Sequence, residues 1–427
     1  MRCPGPPVRE TMKTGGVSAS GSPLRSLGAT RCKNMSIRQH LGLYLSIPFC
    51  RHKCSFCNFA SGVGSGEAID GYIAQLCEEI AQASQTASAL RAELPSTVDT
   101  VYFGGGTPSL LSPAQFEGVF QAIRERFQIT SNAEITLEAA PGQIADDTLA
   151  AALEQGVNRV SLGVQSFIDR ESRAVGRNHT GASCVAEIAR LRSAGIQDIG
   201  ADLIAGLPYQ TLASFTESLE MAVSTALTHL SVYMLEVDED SRLGREVLGG
   251  GLRLHAPAVA TDEQSAAMYE LACDWLPARG FTQYEISNFA RSGFPSRHNR
   301  KYWQRAPYLG LGLDAHSMLL TEAGAVRFAN PDSLPAYAGG GSREVTVVDR
   351  TAAFEESLFL GLRLLEGVSL EGLREQFGDL LPAAETSLPD LLSEGLMEAT
   401  ATQWRLTQRG RILSNEVFGR LLEAIPA

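Results

Sequence analysis

The chain lacks any excess of positive charge. Its 427 residues carry 36 Lys and Arg against 48 Asp and Glu, a net charge of −12. A protein that tracks phosphates needs a basic face, so this balance argues against broad nucleic-acid binding. No apolar run is long enough to span a bilayer, so the chain is not read as an integral membrane protein. No secretory signal is visible, and a chain of this length does not need disulfide staples. Acidic residues are nearly missing from the first forty positions, where Glu10 stands alone among Gly, Ser, Pro and Arg. Residues 1–40 show neither helical nor strand period and are read as a disordered leader. Either they form a transit peptide or the start is over-long, with Met35 just ahead of the first strand; the second is favoured. Free cysteines point to a reducing compartment. The cytoplasm is expected, with membrane association through clients, or an organelle if the leader is a transit peptide.

What is present is an ordinary hydrophobic fraction, 44%, arranged in alternating strand and helix patterns. Strands are predicted at 43–47, 98–103, 134–139, 159–164, 199–204 and 230–235. Helices follow them, around Ile69 to Ile80 and at 112–127, 146–155, 181–194, 212–226 and 262–276. Six such units in a row imply α/β architecture with a parallel sheet and right-handed crossovers, a partial (β/α)6 barrel. The expected barrel spans 41–290, a linking segment 291–345, and a smaller C-terminal domain 346–427. That last region shows three helical patterns and a hairpin, a winged-helix-like unit. Such units bind DNA or other proteins, and the acidic balance disfavours DNA.

Three cysteines fall on one loop after the first strand, in Cys50-Arg-His-Lys-Cys54-Ser-Phe-Cys57. Three thiolates at this spacing can hold three irons of a cubane iron–sulfur cluster and leave the fourth iron open for a small molecule. A disulfide and a zinc site with His52 as fourth ligand are the alternatives; the first has no oxidising context and the second lacks a paired motif downstream. Cys77 and Cys184 lie in helical patterns and are read as small core residues.

Other chemistry-bearing residues also cluster after strands, where barrels of this kind place their active face. The run Gly104-Gly105-Gly106-Thr107-Pro108 lets backbone approach a ligand closely. Glu138 and Asp202 sit near strand ends in apolar runs, where a carboxylate is costly unless paired. They hold ribose hydroxyls or an amino group, or else pair structurally with an Arg. Gln165 follows the fourth strand. Arg177 is a bidentate carboxylate clamp or a solvated loop residue. His298, in His298-Asn-Arg-Lys-Tyr-Trp303, offers an imidazole beside two aromatics. From chemistry alone, that is a packing cluster before it is an iron ligand. His316 is a second candidate.

Together these segments resemble the radical S-adenosylmethionine superfamily. The matching stretches are Tyr44-Leu-Ser-Ile-Pro-Phe-Cys50, Gly104-Gly-Gly-Thr-Pro108, Leu137-Glu138, Gly163-Val-Gln-Ser166, Asp202-Leu-Ile-Ala-Gly-Leu-Pro208 and the His298 motif. The likeness is strongest to the group around oxygen-independent coproporphyrinogen III dehydrogenase, and within it to the heme-chaperone branch. The resemblance implies a 4Fe–4S cluster on Cys50, Cys54 and Cys57. It implies S-adenosylmethionine lined by Tyr44, Phe56, Gly105, Gly106, Thr107, Glu138, Gln165, Arg177 and Asp202, and heme at His298. Implied partners are apo-hemoproteins, among them respiratory membrane proteins, and an electron donor. The decarboxylating enzymes carry a further cysteine two residues after the third; here that residue is Phe59. The implied function is heme transfer without coproporphyrinogen dehydrogenase activity, with oxidative decarboxylation in porphyrin synthesis as the alternative. Asn58 replaces a usual Asp.

Overall fold

The computed structural model describes residues 40–425. Residues 1–39 of the expected leader therefore lie outside the described residues. Six strands, β1 (Leu41–Ile47), β2 (Thr97–Gly105), β3 (Gln128–Ala139), β4 (Arg159–Gln165), β5 (Asp198–Ala205) and β6 (His229–Met234), lie side by side in chain order. Each is parallel to the next. Their crossovers carry helices Gly66–Ala81, Pro113–Arg126, Asp146–Glu154, Gly181–Ser193 and Leu212–Val223, and Asp262–Trp275 follows β6. The (β/α)6 reading of the sequence holds.

Local chemistry explains the boundaries. Ser112 caps Pro113–Arg126 through a reciprocal box with Gln115, and the helix ends at Phe127, whose backbone is extended. Phe116, Val119, Phe120 and Ile123 recur at helical spacing and are fully buried; Phe116 and Phe120 stack against Phe103 of β2. Burial of each such side chain contributes about 2 kcal/mol. Leu41, Leu43 and Leu45 of β1 are also fully buried, as expected for a parallel strand covered on both faces.

The structure departs from the sequence reading in three places. β3 begins at Gln128, earlier than the expected 134, and its register with β2 is irregular between Val98 and Thr100. The added residues, Gln-Ile-Thr-Ser-Asn-Ala, are too polar to read as buried strand. Short helices Asp169–Ala174 and Arg242–Leu248 were not anticipated, since under two turns leaves little periodicity. The stretch 291–345 is more than a link. The sheet's order continues beyond both ends of β1–β6. β7 (Thr282–Gln283) and β8 (Asn288–Ala290) extend it from β6. From β1 it runs through β9 (Tyr308–Leu311), β10 (His316–Thr321), β11 (Gly324–Ala329) and β12 (Glu344–Val348). β9 is parallel to β1 and the other three are antiparallel. The twelve strands form one open sheet.

The C-terminal unit opens with helix Arg350–Gly361 and β13 (Val368–Ser369), continues through helices Leu370–Phe377, Leu381–Glu385 and Leu388–Ser393, and returns as β14 (Met397–Ala399) and β15 (Gln403–Leu406); β15 lies between β13 and β14 in a three-stranded sheet. Two further helices, Gln408–Ile412 and Ser414–Glu423, follow. Its core is shared with the outer strands and the helix before them: Tyr308, Met318 and Ala325 of the strands and Trp303 of helix Arg297–Trp303 pack in one apolar cluster with Phe354, Leu358 and Trp404. No described helix is long and apolar enough to cross a membrane.

Candidate cofactor-binding site

The cysteine loop leaves β1 and is fastened at each stage. The Cys50 amide donates to the Gly62 carbonyl at 2.9 Å, and the Gly62 amide to Pro48 at 2.9 Å, closing the loop's neck. The Ser55 amide donates to Val175 at 3.1 Å, and the Leu243 amide to Ser55 at 2.8 Å. Arg242 donates to the Lys53 carbonyl at 2.6 Å, and the Asn58 amide to Asp238 Oδ2 at 2.8 Å. Asn58, whose role is not legible in the sequence, thus ties the loop to the segment after β6. The unanticipated helix Arg242–Leu248 is a clamp on the loop.

The glycine run lies against the same exit. The amides of Gly106 and Thr107 donate to the carbonyls of Ile47 and Phe49 at 2.9 and 2.7 Å. Gly105 has φ of 101°, and a Cβ on Gly106 would sit 2.6 Å from the Phe49 carbonyl oxygen. Both positions require glycine. Thr107 Oγ1 donates to Cys50 Sγ at 3.5 Å, and Arg177 to Cys54 Sγ at 3.4 Å. Arg177 also donates to the Gly163 carbonyl. Burial pushes the Cys50 thiol above its ordinary range.

Cys50, Cys54, Cys57, Phe56, Gly105, Gly106, Thr107, Glu138, Gln165, Arg177 and Asp202 all line one cavity of ≈ 460 Å³ at the carboxyl ends of the strands. Tyr102 donates to Glu138 Oε1 at 2.7 Å, and Ser161 to Asp202 Oδ1 at 3.4 Å. Burial raises both carboxylates above their ordinary range. Gln165 closes β4 with φ of 68°, a left-handed conformation that a non-glycine residue holds only when its surroundings compel it.

Two expected residues do not join the wall. Tyr44 lies behind it, stacked on Tyr102 with centroids 5.9 Å apart, and so bears on Glu138 through Tyr102. His298 is elsewhere. It sits on helix Arg297–Trp303, 1% exposed, with Nδ1 2.9 Å from Thr100 Oγ1 and Nε2 2.8 Å from the Tyr302 hydroxyl. Its ring stacks on Tyr102. Both ring nitrogens are engaged inside the barrel, so in this geometry His298 packs and hydrogen-bonds and offers no free nitrogen to the heme iron expected there. His316 opens β10 and does not line the cavity. Sequence reasoning missed Gln143, Ser161 and Tyr233, which do. Ser161 and Tyr233 lay inside predicted strands 4 and 6, and strand ends were the available signal.

Two buried polar atoms on the wall, Arg177 Nε and Gln143 Oε1, have no hydrogen-bond partner. Among the described residues no three His, Cys, Asp or Glu converge as a single metal ion requires. Three thiols around a cavity of this size suit a multi-iron cluster better than one zinc.

Comparison with known proteins decides the family. Residues 44–222 match the radical SAM superfamily and residues 348–413 the HemN C-terminal domain. Heme chaperone HemW of Lactococcus lactis is 33% identical, covering 89% of this chain and 96% of its own, and HemW of Bacillus subtilis is 35% identical over 89% and 98%. The chain belongs to the HemW group of the radical SAM superfamily. Mouse radical S-adenosyl methionine domain-containing protein 1, a mitochondrial protein, is 32% identical over 83% of this chain and 81% of its own. Among solved structures, coproporphyrinogen III oxidase (HemN) from Escherichia coli, described as a radical SAM enzyme, superposes with a TM-score of 0.75 at 25% identity over 90% of each chain. Radical SAM membership implies a 4Fe–4S cluster and S-adenosylmethionine. The residues of this HemW-group chain fit both. Three thiols share one loop, glycine backbone approaches it, and two half-buried carboxylates and an Arg with an unpartnered Nε line the remaining space.

Proposed function

We propose that this chain is a heme-binding chaperone that carries a 4Fe–4S cluster and S-adenosylmethionine and passes heme to apo-hemoproteins. The observation that carries this reading is similarity to proteins named heme chaperone HemW along 96–98% of their length. Phe59 supports it. This residue lines the cavity where the decarboxylating dehydrogenases carry a further cysteine.

Cys50, Cys54 and Cys57 would hold the cluster. Glu138 and Asp202 would take ribose hydroxyls or the amino group, and Arg177 a carboxylate, consistent with its unpartnered Nε. When bound, the two cofactors supply one-electron cleavage of a carbon–sulfur bond. The chain's own contribution is to fix the cavity's geometry, limit water and keep the two carboxylates paired with hydroxyl donors.

The second reading, oxidative decarboxylation of coproporphyrinogen III, is favoured by the fold match to HemN. Anaerobic incubation of the reconstituted protein with S-adenosylmethionine, a reductant and coproporphyrinogen III separates the two. The chaperone reading expects no carbon dioxide release, and transfer of bound heme to an apo-hemoprotein. Turnover to carbon dioxide without heme transfer would establish the decarboxylase reading instead.

A further inference from the structure

The heme reading needs an iron ligand, and the described histidines of the barrel interior are held by their neighbours. Besides His298, the buried His179 and His229 have Nε2 held at 2.9 Å by the Val164 carbonyl and the Tyr284 hydroxyl, and His229 Nδ1, though unpartnered, is sealed from solvent. His255 differs. It is exposed, and its Nδ1 lies 2.8 Å from the Tyr209 hydroxyl. With Nδ1–H donating to the phenol oxygen, the Nε2 lone pair is left for a metal. Histidine ligands are commonly oriented this way by a partner on the other nitrogen. Nε2 takes part in no hydrogen bond among the described residues.

The backbone around the pair is compelled. Leu254, His255 and Tyr209 have φ of 54°, 60° and 68°, left-handed values that non-glycine residues hold only when their surroundings compel it. The Tyr209 amide donates to the Ala258 carbonyl at 2.8 Å, which joins the two loops. The Arg170 guanidinium lies 3.9 Å over the Tyr209 ring. The same segment exposes Leu248 (58%) and Leu252 (83%), unusual for leucine and flanking a run of three glycines. Leu254 and Ala256 pack in one small apolar cluster with Phe56 of the cysteine loop.

We infer that His255 is the axial ligand of the bound heme, held by Tyr209, with Leu248 and Leu252 against the apolar macrocycle and Arg170 at a propionate. The inference rests on the heme-binding reading above, and only one bond forms, from imidazole Nε2 to the iron.

The test is a hemin titration of the full, cluster-reconstituted chain followed by Soret absorbance, comparing wild type with His255→Ala, Tyr209→Phe and His316→Ala. The inference expects His255→Ala to weaken binding more than tenfold and lose the histidine-ligated spectrum, with added imidazole restoring the spectrum. Tyr209→Phe should weaken binding about tenfold, and His316→Ala should leave it unchanged. Wild-type affinity and spectrum in His255→Ala, or loss in His316→Ala alone, would overturn the assignment and leave the heme reading standing. No saturable binding to wild type would overturn both.

Discussion

Gly106 has no room for a side chain: a Cβ would meet the Phe49 and Ile47 carbonyl oxygens at 2.6 and 2.8 Å and the Phe49 amide nitrogen at 2.8 Å. All three are backbone atoms, so no rotamer change relieves them. Gly106→Ala is expected to cost about 1–3 kcal/mol and to displace the exit of β1, on which Cys50 hangs. Denaturant unfolding and iron content after reconstitution check this; wild-type values for both would contradict it. Arg177 is the second residue on which the wall depends. It bridges Gly163 and Cys54, so Arg177→Lys removes a two-point contact that a single ammonium cannot span. Weakening of S-adenosylmethionine binding by about ten- to a hundredfold is expected, from the 1.5–3 kcal/mol of a charge-assisted hydrogen bond, and calorimetric titration reads it directly. Gly106 was legible in the sequence because a Gly run after a strand names its own backbone requirement. The unpartnered Nε of Arg177 was not, because it depends on a carbonyl in β4.

At the scale of elements, helix Arg297–Trp303 follows what its residue chemistry favours. A His with two aromatics is a packing cluster before it is a ligand, the family resemblance alone pointed to heme, and the neighbours show the packing. Here the Arg297 and His298 amides donate to Glu134 at 2.8 and 2.9 Å, a residue that opens the predicted part of β3 but whose distant partners have no local signature in the sequence. Lys301 pairs with Asp99 of β2 at 2.7 Å. The helix is thus docked by carboxylates from β2 and β3. Burial lowers the His298 imidazole from its ordinary 6.5 to about 3. The sign follows: the unfolded chain takes up this proton below pH 6.5 and the folded chain does not. The stability held above pH 6.5 is therefore lost as pH falls, by up to about 1.4 kcal/mol per pH unit. His298→Gln should flatten the stability slope between pH 6 and 4 by up to one proton, as seen in denaturant midpoints at several pH values. An unchanged slope would contradict the buried neutral imidazole.

For the whole molecule, the six-unit barrel was readable because each strand–helix pair repeats a local pattern. The outer strands β9–β12 were not, because their place beside β1 is a long-range pairing with no local signature. Those strands carry the C-terminal unit. Glu356 on helix Arg350–Gly361 is 4% exposed and accepts from Arg305 at 2.9 Å and Arg327 at 2.5 Å. Glu356→Ala leaves two half-buried cations facing each other and should cost about 3–5 kcal/mol. The expected signature is early unfolding of the C-terminal unit, visible as a second transition in the thermal melt; a single transition at the wild-type temperature would contradict this coupling. The central claim is that a chain whose barrel makes a cysteine-lined cavity also carries heme. Its most direct test is an anaerobic hemin titration of the cluster-reconstituted full chain, read by Soret absorbance. The account predicts saturation near one heme per chain, whereas a linear, unsaturated response indistinguishable from hemin in buffer would contradict it.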